Sequence, residues 1–317
     1  MKVTDYIARR NGTLVSFEIL PPLKGKSIQS IYDTLDPLME FKPPFINVTY
    51  HRAEYIYKRN AEGLFEKAII RKRPGTVGIC AAIGNRYKVD AVPHIVCGGF
   101  TKEDTEDAMI DLAFLGINNL LIIRGDPEKS EATFVPEPGG HPYAIELIKQ
   151  AVNMNKGIFL EEDLTDAAHT DFCIGVAGYP EKHYEAPNMK SDLQHLKEKV
   201  DAGGEYIITQ MFFDNKKFFE FEKMCREIGI TVPIIPGIKP ITNRKQINTL
   251  PRLFHVEIPE ELASEVEKAK SDGEARAIGV SWCTQQCKEL VQAKVPLLHF
   301  YTMSSPGPVK DVVSKVF

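Results

Sequence analysis

The sequence of 317 residues lacks the features of several specialised protein classes. It has no run of about 18 apolar residues that could form a membrane-spanning helix, and the charges within residues 1–12 do not fit a signal peptide. Basic residues (39) and acidic residues (43) give a net charge of −4, so no basic field attracts nucleic acid or anionic lipid. We therefore expect a cytoplasmic protein that binds neither nucleic acid nor membranes.

Cysteine is also scarce, with six residues scattered through the chain. Only Cys283 and Cys287 lie close in sequence, at the i, i+4 spacing of a helix, and no second pair completes a zinc site. No HExxH motif is present. We expect reduced structural thiols and no metal centre. The remaining composition, 43% apolar and 26% charged, is typical of an ordinary globular protein.

Apolar runs alternate with amphipathic segments along the chain, and no sequence repeat stands out. Most of the runs are nearly continuous, as strands buried on both faces require. Eight strands are predicted, at 14–20, 45–50, 77–83, 119–123, 172–177, 206–210, 232–236 and 297–302. Helices are predicted at 28–41, 53–72, 102–116, 144–153, 190–202, 216–229, 244–250, 260–269 and 274–293.

This alternation favours an α/β fold, a closed (β/α)8 barrel of the TIM type formed by residues 1–317 as one domain. An open doubly wound sheet is the alternative, and it is disfavoured because no GxGxxG follows the first strand. Barrel enzymes build their sites from side chains at the carboxyl ends of the strands. Functional residues are therefore expected at those ends.

Glu18 lies near the end of the first predicted strand. Alternation places Ser16 and Glu18 on one face and the apolar residues between them on the other, so we expect Glu18 to point into the barrel. Burial there would raise the pKa of its carboxyl and keep it protonated, as a general acid requires. A carboxylate paired with a barrel lysine or arginine is an equally good interpretation of the position alone.

The other strand ends are rich in polar residues. The fourth strand runs into Arg124, Gly125 and Asp126, where glycine allows a flat ligand to approach and arginine can hold a phosphate. A solvated turn with an internal ion pair is the simpler interpretation of this motif taken alone. Further strand ends carry Thr49, Tyr50, His94, Tyr179, His183, Glu185, Gln210, His299 and Tyr301. So many polar groups around one barrel mouth indicate a binding site.

The helix after the fifth strand carries Asp192, His195 and Lys199 on one face, at i, i+3 and i+7. Such a charged stripe is usually solvated surface. Beside a barrel mouth, it could instead hold ribose hydroxyls and a pyrophosphate.

Eight fragments in a fixed order give the sequence a family resemblance: FEILPP, NVTY, PHIVC, LIIRGD, GYPEKH, DLQHLKEKVDAGGEYIITQMFFD, IIPGIKPI and HFYT. From about Leu14 to Thr302 the chain resembles the methylenetetrahydrofolate reductases, a family of flavin-binding barrels. The resemblance implies an enzyme that takes hydride from NADH or NADPH onto FAD, releases the nicotinamide, and then reduces 5,10-methylenetetrahydrofolate to 5-methyltetrahydrofolate for methionine synthesis. It also implies a homo-oligomer without the regulatory domain of eukaryotic relatives, and it favours NADH over NADPH as the hydride donor.

The resemblance assigns roles by position. Glu18 matches the proton donor that opens the five-membered ring of the folate to a reactive iminium, and Asp126 matches the carboxylate beside the flavin. The positions that match substrate contacts are Thr49, Asp126, Gln210, Gln246 and Leu250. The positions expected to bind FAD are Tyr50, Arg52, His94, Arg124, Gly125, Asp126, Tyr143, Ala144, Tyr179, His183, Glu185, Asp192, His195 and Lys199.

Some positions depart from the family pattern. Ser304 and Ser305 stand where an arginine would bind the glutamate tail of the folate, and Arg276 and Lys310 are the cations considered as replacements. Other unusual residues are Arg52, His195, Glu198, Gly204 and Leu250. These differences concern the tail contacts and the cofactor affinity rather than the type of reaction.

Two other functions compete with this interpretation. A barrel that binds a pterin without flavin, such as a pteroate-processing or corrinoid methyl-transfer enzyme, would need neither the charged stripe nor a nicotinamide site. A non-catalytic scaffold would have no use for a buried acid that costs stability.

Overall fold

The computed structural model describes residues 1–70, 73–127, 131–161, 163–303 and 305–317. Its strands are β1 (Leu14–Ile19), β2 (Phe45–Val48), β3 (Glu54–Arg59), β4 (Phe65–Ile70), β5 (Asp90–Val96), β6 (Asn119–Ile123), β7 (Cys173–Gly178), β8 (Tyr206–Met211), β9 (Ile234–Ile238) and β10 (Leu297–Tyr301). Eight of them close into a parallel barrel in the order β1-β10-β9-β8-β7-β6-β5-β2. The predicted (β/α)8 barrel is confirmed.

Helices connect these strands and cover the outside of the barrel. They are α1 (Val3–Arg9), α2 (Gln29–Leu35), α3 (Thr76–Tyr87), α4 (Lys102–Phe114), α5 (Ala144–Met154), α6 (Met189–Asp201), α7 (Asn215–Glu227), α8 (Gln246–Phe254), α9 (Glu260–Lys268), α10 (Asp272–Gln292) and α11 (Pro306–Val316), with a 3₁₀ helix at Asp36–Phe41. Apolar residues of β1, such as Phe17, pack with α2 and α11 in the large outer core. Across the described ranges, no helix is both long enough and apolar enough to span a membrane.

The N-terminal end of the barrel is closed by α1. Val3 and Ile7 of this helix pack onto Phe45 and Tyr206 in the apolar interior of the barrel. The backbone N–H of Val3 donates to Oδ1 of Asn119 at 2.8 Å, which fixes the helix to the start of β6. Because this end is closed and apolar, the polar side chains gather at the opposite, carboxyl end of the strands.

Gly175 on β7 makes room for a large interior side chain. A Cβ at this position would overlap the ring of Tyr206, which is fully buried and donates its hydroxyl to the carbonyl oxygen of Leu120 at 3.1 Å. We expect Gly175→Ala to lower the free energy of unfolding by about 1–3 kcal/mol through overpacking, measured by urea denaturation. Gly78→Ala is the matched control, since nothing lies within 4 Å of its Cβ position. Equal stability of the two variants would contradict this interior packing.

The prediction of a helix at 53–72 is wrong for the residues of this range that the structure describes. Residues Glu54–Arg59 and Phe65–Ile70 form an antiparallel hairpin, β3–β4, outside the barrel. Oδ1 of Asn60 accepts from the backbone N–H groups of Glu62 and Leu64, and this side-chain bonding favours a turn over a helix. Residues 71 and 72, the end of the predicted helix, lie outside the described residues.

The predicted strand at 77–83 is also wrong, because this segment belongs to α3. A short apolar run does not distinguish a buried strand from a buried helix by its periodicity. The third barrel strand is instead β5, which contains Pro93 and pairs with β2 and β6. Proline within an apolar run argues against a central strand, so β5 was not predicted as a strand from the sequence.

Smaller differences affect element ends. The predicted helix at 28–41 divides into α2 and a 3₁₀ helix that contains Pro37, and α1 and α11 were not predicted. The six cysteines are free and buried, which agrees with the prediction of structural thiols.

Candidate active site at the carboxyl ends of the strands

Glu18 lies at the centre of a buried polar group formed by β1, β2, β5 and β10. Its Oε2 lies 3.3 Å from Nε2 of His94 and 3.5 Å from Nε2 of His299. The hydroxyl of Thr49 donates to Oε1 of Glu18 at 3.2 Å. The side chain of Glu18 is 12% exposed, whereas its strand neighbours Phe17 and Ile19 pack in the outer core. The predicted inward orientation is confirmed.

The pKa of Glu18 is set by its two histidine neighbours. Burial raises the pKa of the carboxyl, but the charge of His94 and the contacts with both imidazoles outweigh burial and hold it well below the usual range. The expectation that burial would keep Glu18 protonated is therefore wrong. The ion-pair interpretation is nearer to the structure, although the partners are histidines rather than a lysine or arginine.

Sequence reasoning missed two members of this group. Oγ of Ser16 lies 2.8 Å from Nδ1 of His299, and Nδ2 of Asn47 lies 3.4 Å from Nε2 of His94. Ser16 and Asn47 are both fully buried. In the sequence, such a residue is a polar position on the inward face of an otherwise apolar strand. Alternation shows this for Ser16, but Asn47 is easily overlooked within the apolar run FINV.

Arg124 follows β6 and forms a second, positively charged part of the site. Its Nη1 lies 2.6 Å from Oε2 of Glu185, and its guanidinium lies 5.0 Å from the ring centroid of Phe134. Burial lowers the pKa of Arg124, but Glu185 more than offsets this, so the guanidinium stays charged. The simple interpretation of RGD as a turn with an internal ion pair is not what the structure shows, since Arg124 pairs with a residue after β7.

Gly125 and Asp126 follow the arginine. Gly125 has a φ of +89°, a left-handed conformation that favours glycine, and it turns the chain across the barrel mouth. Asp126 is exposed. Burial lowers the pKa of His51 and raises the pKa of Tyr179, and the charge of Asp126 makes a smaller, raising contribution to both pKa values. Asp126 therefore lies near His51, after β2, and near Tyr179, after β7.

The β7–α6 region supplies a third part of the site. The rings of Tyr179 and His183 meet edge to face with centroids 4.7 Å apart, and the backbone N–H of His183 donates to Oδ2 of Asp192 at 3.0 Å. Nζ of Lys199 donates to the carbonyl oxygen of Ala177 at 2.7 Å. Burial lowers the pKa of Lys199 to about 8, although Asp192 acts in the opposite direction. Asp192 and Lys199 thus lie against the segment at the end of β7 rather than in solvent, and their contact with a cofactor stays a prediction.

His195 does not join this group. Its side chain is 67% exposed, and Nδ1 lies 3.4 Å from Oε2 of Glu198 on the outer face of α6. The predicted contact with a cofactor is not supported at this position, because the two residues pair with each other in solvent.

Tyr50 and Arg52 follow β2 and cover another side of the mouth. The ring of Tyr50 lies 4.9 Å from that of Phe100. Arg52 lies 3.4 Å from Glu131, with its side chain 14% exposed. It packs over Gly98 and Gly99 after β5, where added Cβ atoms would lie 3.4 Å and 3.0 Å from it. These glycines leave the space that the arginine occupies.

Gln210 and Tyr301 line the side of the mouth opposite β5. Tyr206 and Ile208 of β8 pack inside the barrel, and the half-buried Gln210 lies within a shift of register between β8 and β9 that falls between Ile208 and Met211. The hydroxyl of Tyr301 donates to the carbonyl oxygen of Thr209 at 2.7 Å. Gln210 therefore lies at the carboxyl end of β8, where the strand is irregular.

Two of the predicted substrate positions lie on α8. Oε1 of Gln246 accepts from the backbone N–H of Thr242 at 2.7 Å, so this amide fixes the turn before the helix. Leu250 is 4% exposed and packs with Met211 and Phe213 in a separate apolar cluster. Tyr301, at the end of β10, packs against the same cluster, so Leu250 lies near the carboxyl ends of the strands, and its predicted contact with substrate stays a prediction.

Tyr143 and Ala144 begin α5. Tyr143 is 59% exposed and Ala144 is half-buried. One turn into the helix, Oε2 of Glu146 is buried without a hydrogen-bond partner among the described residues. This helix start therefore presents one exposed ring and one unsatisfied carboxylate oxygen.

The residues at the position of the folate-tail arginine, and the two cations expected to replace it, lie in different parts of the structure. Ser304 lies outside the described residues, and Ser305 precedes α11. Arg276 pairs with Asp311 at 2.7 Å, beside the first turn of α11. Lys310 pairs with Glu40, which precedes the start of β2, at 2.9 Å. Lys310 is therefore wrong as a tail contact, since it lies towards the opposite end of the barrel.

Comparison with known families agrees with this arrangement. The family model described as methylenetetrahydrofolate reductase matches residues 2–316. The chain belongs to the methylenetetrahydrofolate reductase family. The 5,10-methylenetetrahydrofolate reductase of Salmonella typhimurium is 32% identical, over 92% of this chain and 86% of the relative.

Longer members of the methylenetetrahydrofolate reductase family also match. Methylenetetrahydrofolate reductase (NADH) 1 of Arabidopsis thaliana is 32% identical over 96% of this chain and 49% of the relative, so the chain spans about half the length of that protein. Among solved structures, an uncharacterized protein from Clostridium thermocellum, described as binding two copies of 5-methyl-5,6,7,8-tetrahydrofolic acid, has a TM-score of 0.57 and 12% identity. The match covers 98% of this chain and 97% of that one, and it shows a shared fold.

Proposed function

We propose that this chain reduces 5,10-methylenetetrahydrofolate to 5-methyltetrahydrofolate with hydride from NADH or NADPH, using bound FAD and supplying methionine synthesis. The observation that carries the proposal is the buried Glu18 at the barrel mouth, flanked by His94 and His299. Membership of the family supports the folate as substrate.

The described residues fit a flavin dinucleotide. Arg124 and Lys199 supply positive charge on one side of the mouth for a pyrophosphate. Among the described residues, Nδ1 of His94 and Oε2 of Glu146 are buried polar atoms without hydrogen-bond partners, as expected where a polar ligand completes the site. When bound, FAD supplies the two-electron redox chemistry that amino-acid side chains lack.

The side chains of the site orient the cofactor, contact the two substrates and transfer a proton. Arg124 and Lys199 neutralise the negative charge of the cofactor, and Asp192 offers a carboxylate to a ribose hydroxyl. Thr49 and Gln210 offer a hydroxyl and an amide to the nicotinamide and the folate in turn, because both planar partners use the same space. Glu18 is ionised in the free protein, so it must take up a proton before it delivers one to the ring nitrogen of the folate. The walls of the mouth exclude water.

The affinity for FAD is expected to depend on pH through Lys199. Its folded-state pKa of about 8 means that the free protein carries this charge below pH 8 and loses it as the pH rises. We expect FAD binding to weaken above that pH, measured by fluorescence titration between pH 6.5 and 9.5. Lys199→Gln should bind FAD more weakly at low pH and lose this part of the pH dependence. An unchanged pH profile in the variant would remove Lys199 from the cofactor site.

The stoichiometry of the reaction tests the function. Under anaerobic conditions with FAD present, we expect one 5-methyltetrahydrofolate to form for each NADH or NADPH oxidised, with the product quantified by chromatography. Turnover of the folate without oxidation of nicotinamide would contradict the proposal and favour a pterin methyl-transfer barrel.

A further inference from the structure

Arg73 is a cation at the barrel mouth that the proposed function has not used. It lies between β4 and α3, and its Nη1 donates to the carbonyl oxygen of Pro21. Pro21 is buried and lies just beyond the end of β1, the strand that carries Glu18. The guanidinium is therefore held against the segment that leaves the carboxyl end of β1.

The segments that follow β1 and β2 meet beside Glu18. The backbone N–H of Thr49 donates to the carbonyl oxygen of Ile19 at 3.1 Å, and the Thr49 hydroxyl lies 3.2 Å from Oε1 of Glu18. His51 follows on the same segment. Burial lowers the pKa of His51, and the charge of Arg73 lowers it further, so the guanidinium and the imidazole are neighbours. Arg73 thus lies on the β1–β2 side of the mouth.

The charge of Arg73 has no acidic partner among the described residues. Burial lowers the pKa of this half-buried guanidinium, and no neighbouring carboxylate raises it again. Within the described part of the chain, Nη1 is the only nitrogen of Arg73 that makes a hydrogen bond. An arginine carries five N–H donors and stays charged in proteins. The remaining donors are therefore available to an anionic ligand.

The two cations considered above for the tail of the folate differ from Arg73 in this respect. Arg276 lies 2.7 Å from Asp311, and Lys310 lies 2.9 Å from Glu40. Each of these charges is compensated by a carboxylate of the protein itself. Arg73 keeps its charge for a ligand.

The strand order separates Arg73 from the cations expected to hold the cofactor. In the closed barrel, β1 lies opposite β7, whereas Arg124 follows β6 and Lys199 contacts the carbonyl oxygen of Ala177 on β7. Two anionic groups can therefore bind at the same mouth without competing for one cation. A pyrophosphate fits the β6–β7 side, and a second anion fits the β1–β2 side.

The chemistry of the folate indicates which anion this is. Its reacting ring must lie against Glu18, and the glutamate that it carries on the other side of the aminobenzoyl group ends in carboxylates. A carboxylate is the group that a guanidinium binds best, through paired hydrogen bonds. A tail that leaves the mouth between the ends of β1 and β2 passes Arg73.

We propose that Arg73 binds a carboxylate of the glutamate tail while the ring of the folate lies against Glu18. This inference rests on the proposed function. The bond to Pro21 fixes the guanidinium, and its free N–H groups donate to the carboxylate. Arg73 therefore contributes to the affinity for the folate and takes no part in hydride or proton transfer.

Binding of ligands with and without the tail tests this subsite without turnover. 5-Methyltetrahydrofolate is compared with 5-methyltetrahydropteroamide, in which an amide replaces the glutamate, by anaerobic calorimetric titration of the FAD-loaded protein. We expect the wild type to bind the folate about tenfold more tightly than the amide, as for a charge-assisted hydrogen bond. Arg73→Gln should bind both equally weakly, and Arg73→Lys should keep part of the preference.

A tenfold preference that persists in Arg73→Gln would overturn the inference, even if the enzyme reduces the folate. A wild type that binds neither ligand would instead contradict the proposed function, and the inference with it.

Kinetics provide a second test, with Arg59→Gln as the matched control. Nε of Arg59 donates to the carbonyl oxygen of Gly63 at 3.2 Å in the exposed turn of the β3–β4 hairpin, so the control removes the same charge and the same kind of bond. Arg73→Gln should raise the folate concentration needed for half-maximal reoxidation of the reduced flavin about tenfold. Its limiting rate and its reaction with NADH should equal those of Arg59→Gln.

Two kinetic results would contradict the assignment. Weaker binding of NADH in Arg73→Gln, with the folate unaffected, would assign the guanidinium to the phosphates of the dinucleotide. Identical behaviour of the two variants towards the folate would mean that Arg73 does not contact it.

Discussion

Glu18→Gln is expected to lose folate reduction by about 10²- to 10⁴-fold, the usual contribution of a general acid. The glutamine keeps the size of the side chain and can still contact His94 and His299, but it cannot pass on a proton. Reduction of the flavin by NADH should continue at a similar rate, because that step takes hydride from the nicotinamide and needs no proton from Glu18. Rapid-mixing absorbance measurements follow the two half-reactions separately.

A surface change of the same kind controls for this variant. Glu227→Gln removes a carboxylate that lies 3.9 Å from Lys223 on the outside of α7, with 60% of the side chain exposed. It should leave both half-reactions unchanged. If Glu18→Gln reduces the folate as fast as Glu227→Gln does, Glu18 is not the acid.

Arg124→Gln is expected to weaken FAD binding by about 10- to 100-fold, as for the loss of a charge-assisted hydrogen bond. The Arg124 side chain is only 19% exposed, so its charge acts in a partly desolvated place. The substitution also leaves Glu185 without its partner, and the added negative charge opposes a pyrophosphate. Calorimetric titration of the flavin-free protein with FAD measures the change.

Arg86→Gln is the control for losing one positive charge. Arg86 lies 3.4 Å from Asp36 and is 45% exposed on the barrel wall, away from the strand ends. We expect its FAD affinity to equal that of the wild type. Equal weakening in both variants would mean that net charge, rather than a contact at Arg124, determines the binding.

The barrel was predictable because seven of its strands are apolar runs of strand length, and their alternation with helices allows few other topologies. The exception shows the limit of this reasoning. In α3, Ile79, Cys80 and Ile83 face the core from a helix, and the run resembles a buried strand. In β5, Pro93 argues against a strand, yet it is tolerated beside Val48 of β2.

The orientation of a site residue was predictable when it depends only on alternation within that residue's own strand. Glu18 is such a residue, since alternation alone turns it inwards. Its pKa was not predictable, because it depends on His94 and His299 from two other strands that only the closed barrel brings within 3.5 Å.

The visible absorption spectrum of the protein, recorded anaerobically after loading with FAD, tests the flavin-dependent folate reduction most directly. We expect a flavin spectrum that bleaches when NADH or NADPH is added and recovers when 5,10-methylenetetrahydrofolate follows. A protein that stays colourless after incubation with FAD, or a bleached flavin that the folate does not reoxidise, would contradict the proposed function.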